Sequence, residues 1–351
     1  MLDNLEQIRE LDKGGMFDLI YKFPDHCIEA INITKESISG LRFNNIMNVV
    51  ITGMGGSAIG GDLVRMLTTE RAQIPVIVNR DYKLPAFVDE KTLVIASSYS
   101  GNTEETLTAY DYAKTKKAKI IVITTGGKLK EKATQDEVPV ITIPGGLPPR
   151  AALGFSLFPI LVLFKEQGIG FGKKSDIETA VNLLKQVREK YCPQVPEKDN
   201  PAKALAGKLH GKLPLIYGTS NLTDIIAVRW KGQMNENAKH PAFYNAFPEL
   251  NHNEIMGFEG DRKLLKTFEI IILRSPNESD RIKKRIDITT DILKEEVSGI
   301  TEIWPEGESA LEQMLYHIMF GDYVSAYLAI LNNKDPKEID FIDELKERMK
   351  D

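Results

Sequence analysis

Two short loops in this sequence carry the residue types that hold an anion without a metal. The first is Gly53-Met54-Gly55-Gly56-Ser57-Ala58, set directly after the apolar run NVVIT. Glycines allow a tight turn and close approach of the backbone. A helix starting there presents unpaired N–H groups and partial positive charge. The pattern also satisfies the dinucleotide fingerprint G-x-G-x-x-G/A, with Asp81 following the next strand. The second loop lies in TLVIASSYSGNTEET and places Ser97, Ser98, Ser100 and Thr103 between a strand and a helix. Thr103 could serve as an N-cap, without a capping box, but capping accounts for one hydroxyl and not four. In a parallel sheet both loops leave the same carboxyl edge, where ligands bind. Two Ser/Gly loops on one crevice suit a phosphate monoester better than a dinucleotide.

The elements that position these loops are legible from apolar patterning. IPVIVN, TLVIASS, KIIVITT and VPVITIP are runs of strand length rich in Val, Ile and Thr. Helical segments such as EETLTAYDYAKTKK lie between them. Continuous apolar strands alternating with helices predict a doubly wound α/β unit whose parallel sheet is covered on both faces. The segment RAALGFSLFPILVLFKEQ closes this unit as a helix. A polar stretch with a helix near 177–190 and then three prolines marks the connection. The second half repeats the rhythm. LPLIYGTS runs into LTDIIAVRWKGQMNENA, and TFEIIILRS, a helix over 278–294 and EEVSGITEIW follow. We therefore expect a helical N-terminal arm over 1–40, a first α/β domain over 41–168, a connecting segment over 169–200 and a second α/β domain over 201–351.

Composition excludes several classes. The 351 residues suit two domains, and 42% apolar with 27% charged residues is ordinary globular composition. The formal charge of −5 comes without the basic stripe of a nucleic-acid binder. Cys27 and Cys192 fit no metal-ligand spacing and read as reduced thiols. The start MLDNLEQIRELDKGG has neither the basic nor the apolar region of a signal peptide. The apolar segment over 311–331 carries Glu312, His317 and Asp322, which suits a buried or interface helix better than a membrane span. We expect a cytoplasmic protein with no nucleic-acid or membrane partner.

The residues GMGGSAIGGD and SSYSGNTEET resemble the phosphate loops of the sugar isomerase (SIS) fold. PPRAALG at 148–154 and NENAKHPAFYNAFPELNHNE at 235–254 are similar to the bifunctional phosphoglucose/phosphomannose isomerases. The resemblance runs from about residue 45 to the C-terminus and implies two SIS-type domains. It further implies that Gly56, Ser57, Ser98, Ser100 and Thr103 cradle the phosphate of a hexose phosphate. Arg150 would stabilise negative charge on an enediol-like intermediate, and Glu236 would move the proton between C1 and C2. His252 would assist ring opening, supplied by the neighbouring subunit of a homodimer; the apolar segment over 311–331 also suits such a dimer. Taken alone, a helical Glu or a loop His is ordinarily a solvated residue, and the motif reverses that reading. Asn235 and Asn237 beside Glu236 are poor helix formers, so this helix end is not built for propensity. Aldose–ketose isomerisation needs a base, a proton shuttle and positive charge at the enediolate, and no metal or redox cofactor. Some relatives use a lysine from the C-terminal helix; here Tyr327 takes that place by sequence landmarks and Lys334 is the nearest lysine. Two other readings differ in class. A regulatory sugar-phosphate binder predicts a helix-turn-helix and a basic patch, and neither is visible. A dehydrogenase predicts NAD(P)H bound at Gly53–Ala58.

Overall fold

The computed structural model describes residues 1–170 and 175–349. Three helices open the chain, α1 (Leu5–Leu11), α2 (Met16–Tyr21) and α3 (Phe23–Ser37). Then follow β1 (Asn48–Thr52), α4 (Gly55–Thr68), β2 (Val76–Asn79), β3 (Thr92–Ser98), α5 (Glu104–Thr115), β4 (Lys119–Thr124), α6 (Gly127–Gln135) and β5 (Val140–Thr142). A 3₁₀ turn over Pro149–Ala151 leads into α7 (Leu153–Glu166), and α8 (Ser175–Tyr191) follows. The remainder comprises α9 (Pro201–Leu209), β6 (Leu213–Thr219), α10 (Asp224–Glu236), β7 (Phe243–Phe247), α11 (Arg262–Leu265), β8 (Phe268–Leu273), α12 (Asp280–Leu293), β9 (Gly299–Ile303), α13 (Ala310–Leu331) and α14 (Asp340–Arg348).

Every strand pairing among the described residues is parallel. The first sheet has the order β2-β1-β3-β4-β5 and the second β7-β6-β8-β9. The first four strands of one and all four of the other thus follow the same path, which gives physical form to the repeated rhythm in the sequence. β3 is buried along its whole length, as a strand covered on both faces must be. Val50, Val94, Ala96 and Val122 pack with Tyr110 and Leu129 in the first core. Tyr217, Phe247, Ile270, Ile272 and Ile286 belong to the second.

The chain divides into two compact units, Lys22–Val181 and Met1–Tyr21 with Asn182–Asp351. The residues expected to form an N-terminal arm are helical but shared out: α2 packs on α13, and α3 packs on α7. Of the expected connection, residues 171–174 lie outside the described residues, and the division between units falls inside α8.

α13 is long and apolar enough to cross a membrane by length and composition, yet 94% of that window is buried inside the fold. A capping box of Ser309 and Glu312 starts it, and α9, α10 and α2 surround it. It is a core helix of its own unit, so it offers no free face for the dimer contact that its composition suggested. One strand escapes the apolar pattern altogether. β7 pairs only with β6 at the sheet edge, and its sequence FYNAF is flanked by Pro241 and Pro248. An edge strand satisfies one ladder and tolerates prolines beside it, so no continuous apolar run marks it.

Candidate active site

In the first sheet β1 lies between β2 and β3, so the chain runs to opposite sides after β1 and before β3. That reversal is the topological switch point at which open α/β sheets bind ligands. The two strands that frame it, β1 and β3, are the ones followed by the Gly53–Ala58 and Ser97–Thr103 loops. Among the described residues no side chain caps α4 or α5, which leaves their first N–H groups to an anion. Ser57, in the first turn of α4, accepts the Tyr99 N–H at 3.2 Å and so joins the two loops. Thr103 occupies the N-cap position of α5, but its hydroxyl pairs with that of Ser98 at 2.9 Å instead of capping. Ser98 also accepts the Gly101 N–H at 3.1 Å, and Ser100 accepts that of Asn102 at 3.2 Å.

The glycines answer to the protein's own backbone as well as to a ligand. A Cβ on Gly53 would lie 2.7 Å from the Ser97 carbonyl oxygen, and one on Gly56 would lie 2.7 Å from that of Pro149. Gly56 therefore admits the 3₁₀ turn that carries Arg150 to the start of α4. Arg150 is buried there, 5% exposed. Tyr99 reinforces this approach, because its hydroxyl accepts the Leu147 N–H at 3.0 Å while its own N–H reaches Ser57. Sequence reasoning missed Tyr99, whose position between two serines in the loop was the available signal.

The second sheet has the same switch point, between β6 and β8, and fills it differently. Arg274, just past β8, binds Glu278 in a buried ion pair, and Glu302 at its other side. Glu278 also accepts the Ser275 N–H at 2.8 Å, and Ser279 caps α12. A guanidinium and a loop amide are partners a phosphate would use, and here the chain's own carboxylate takes them.

Glu236 is the last residue of α10 and is half-buried. Its neighbours explain why poor helix formers stand beside it. Asn235 accepts the Ala242 N–H at 3.2 Å, and Asn237 donates to Ser325 of α13 at 3.0 Å. Both amides hold the helix end to its surroundings. Behind them α10 is pinned to α13 by Arg229 and Gln233 on Asp322 and by Trp230 donating to the His317 carbonyl. His252 ends a 3₁₀ turn over Glu249–His252 and is exposed. The residues of the two loops and Arg150 thus belong to one compact unit, Glu236 and His252 to the other.

Two further histidines are held by the fold. His240 uses both ring nitrogens, on the Lys212 carbonyl and on Asn332. His317 is fully buried against the Arg274 carbonyl, and burial pushes its pKa down to about 4. Tyr327 is buried too, and its hydroxyl donates to the Tyr191 carbonyl at 2.6 Å. That leaves it no proton to give a ligand, while Lys334 lies exposed past the end of α13. Among the described residues no three His, Cys, Asp or Glu side chains cluster as metal ligands.

The two loops at the first switch point and the two parallel sheets of like strand order define the class as a two-domain SIS protein. Residues 43–139 match the model of the SIS domain, and residues 198–349 match that of the bacterial phospho-glucose isomerase C-terminal SIS domain. A bifunctional phosphoglucose/phosphomannose isomerase of Caldicellulosiruptor bescii is 53% identical over 334 residues, covering 95% of this chain and 98% of its own. One of Thermoplasma acidophilum is 38% identical, with 92% and 98% covered. The chain belongs to the bifunctional phosphoglucose/phosphomannose isomerase family. Among solved structures, a hypothetical protein of Thermus thermophilus shares the fold, with a TM-score of 0.75 at 16% identity over 98% of this chain and 93% of that one.

Proposed function

We propose that this isomerase interconverts glucose 6-phosphate and mannose 6-phosphate with fructose 6-phosphate through a cis-enediol intermediate. The observation that carries the reading is the near-full-length match to relatives of that name, in a chain whose first switch point bears one glycine-rich and one hydroxyl-rich loop. Gly56, Ser57, Ser98, Ser100 and Thr103 hold the phosphate through N–H and hydroxyl groups. Glu236 takes the proton from C1 of the open-chain ketose and returns it to C2, and Arg150 stabilises the negative oxygen of the enediolate. Glucose and mannose phosphates differ at C2, so return of the proton to opposite faces of one enediol yields both. His252 exchanges a proton with the ring oxygen. A charged, phosphorylated substrate that does not cross membranes unaided supports a cytoplasmic location for the enzyme.

The test is incubation with fructose 6-phosphate in heavy water. Glucose and mannose 6-phosphates are the expected products, with solvent deuterium entering at C1 or C2. Free fructose is expected to turn over far more slowly, because the cradle supplies binding energy only to a phosphate. Comparable turnover of the free sugar would remove the cradle from the mechanism.

His252 acts across a homodimer in this reading. Its exposure supports that, as do Phe243, Tyr244 and Met256 on the same segment, which are 56%, 49% and 60% exposed. Exposed large apolar side chains beside His252 in the chain support a contact surface there. Mixing two inactive variants, Glu236→Gln and His252→Ala, then restores activity. Half of the mixed dimers' sites are intact, which is roughly a quarter of wild-type activity in a random mixture. A mixture as inactive as its components would place His252 in its own subunit's site.

A further inference from the structure

We infer that Glu254 is the positioning residue for His252, fixing the imidazole by anchoring the turn that carries it to the second sheet. This rests on the role given to His252 above. Among the described residues the imidazole itself has no hydrogen-bond partner, so its place is set through its backbone. The residues on either side are tied down. Before it, Leu250 is buried and Asn251 donates to Thr289 of α12 at 2.9 Å. After it, Asn253 accepts the Glu254 N–H at 2.6 Å and donates to Glu249 at 3.1 Å, closing the turn on itself.

Glu254 then ties this turn to the strands. One carboxylate oxygen accepts the hydroxyl of Tyr217 on β6, and the other accepts the side-chain amide of Asn245 on β7. Hydrogen bonds to an ionised acceptor are about twice as strong as neutral ones. Tyr217 is 1% exposed, and burial together with the Glu254 carboxylate pushes its pKa well up, so it remains a donor at neutral pH. Two adjacent strands of the sheet thereby hold one carboxylate, two residues along the chain from the imidazole. A group that must meet a sugar ring oxygen gains from such support, since an error of about 1 Å can cost ~10²-fold in rate.

The experiment compares steady-state kinetics of the full-length enzyme and the variants Glu254→Ala, Glu254→Gln, Tyr217→Phe, His252→Ala and the Glu254→Ala/His252→Ala double. Glu254→Ala is expected to lower kcat by about 10- to 10²-fold with little change in KM. Gln keeps the acceptor for Tyr217 and recovers part of the loss, and Tyr217→Phe loses less than Ala. The decisive reading is the double variant, which is expected to be no slower than His252→Ala alone, because groups acting as one unit are not additive. A general structural role would instead multiply the two losses, and that result overturns the inference, as does wild-type kcat in Glu254→Ala. Should Glu254→Ala fail to fold, Tyr217→Phe in the presence and absence of His252 makes the same comparison. If His252→Ala keeps full activity, the role of His252 falls first, and Glu254 then has nothing to position.

Discussion

Replacing Glu236 by Gln is expected to abolish nearly all turnover while leaving the protein folded and able to bind a sugar phosphate. Gln copies the shape of Glu but cannot accept a proton at neutral pH. General-base catalysis is worth ~10²–10⁴-fold, so kcat falls by at least that much. Asn235 and Asn237 hold the α10 end from either side, and Gln keeps the shape of the side chain between them. Affinity for an unreactive hexose phosphate is expected to change by less than about tenfold, because the residues proposed to hold the phosphate belong to the other unit of the chain. Deuterium exchange between solvent and substrate carbon stops in the variant. Near wild-type turnover by Glu236→Gln would end the assignment of Glu236 as the base.

The second large effect concerns the helix that carries Glu236. Asp322 of α13 receives two hydrogen bonds from Arg229, at 2.8 and 2.9 Å, and one from Gln233 at 2.7 Å. All three side chains are buried, at 7%, 6% and 4% exposure. Burial pushes the Asp322 carboxyl up in pKa, while Arg229 and Gln233 act against that shift. Removing one partner of a buried pair strands the other charge, which costs about 3–5 kcal/mol. Asp322→Ala is thus expected to lower the stability to urea by that amount, and to lower kcat in the fraction that folds as α10 loosens. An apolar pair, Arg229→Met with Asp322→Leu, recovers much of the stability, because no charge is then stranded. Unfolding curves superimposable on wild type for Asp322→Ala would show that the pair carries no such load.

Much of this protein is determined locally and is legible in the amino-acid sequence by itself. The strand runs, the two Ser/Gly loops and the mostly apolar character of α13 depend on residues close in sequence, whose pattern already dictates helix, strand or turn. The NENA and NHN segments marked Glu236 and His252 as candidates through their resemblance to the isomerase family, without reference to the surrounding packing. Other features depend on partners far apart in the chain, and only tertiary structure decided them. β7 exists because β6 offers it a ladder, not because FYNAF is a strong strand. Gly56 is needed because Pro149 comes to lie against it, ninety-three residues away. Glu278 is an exposed-looking residue of a helix start until Arg274 and the Ser275 amide bury it at the second switch point. Tyr327, which the resemblance sets where some relatives are expected to use a lysine, has its hydroxyl claimed by the Tyr191 carbonyl. Glu254 reads as one more acidic loop residue until β6 and β7 bring Tyr217 and Asn245 to its two oxygens. Periodicity reports what a residue faces along its own element. Which distant donor meets a buried acceptor follows from how elements pack, and short-range pattern does not encode that.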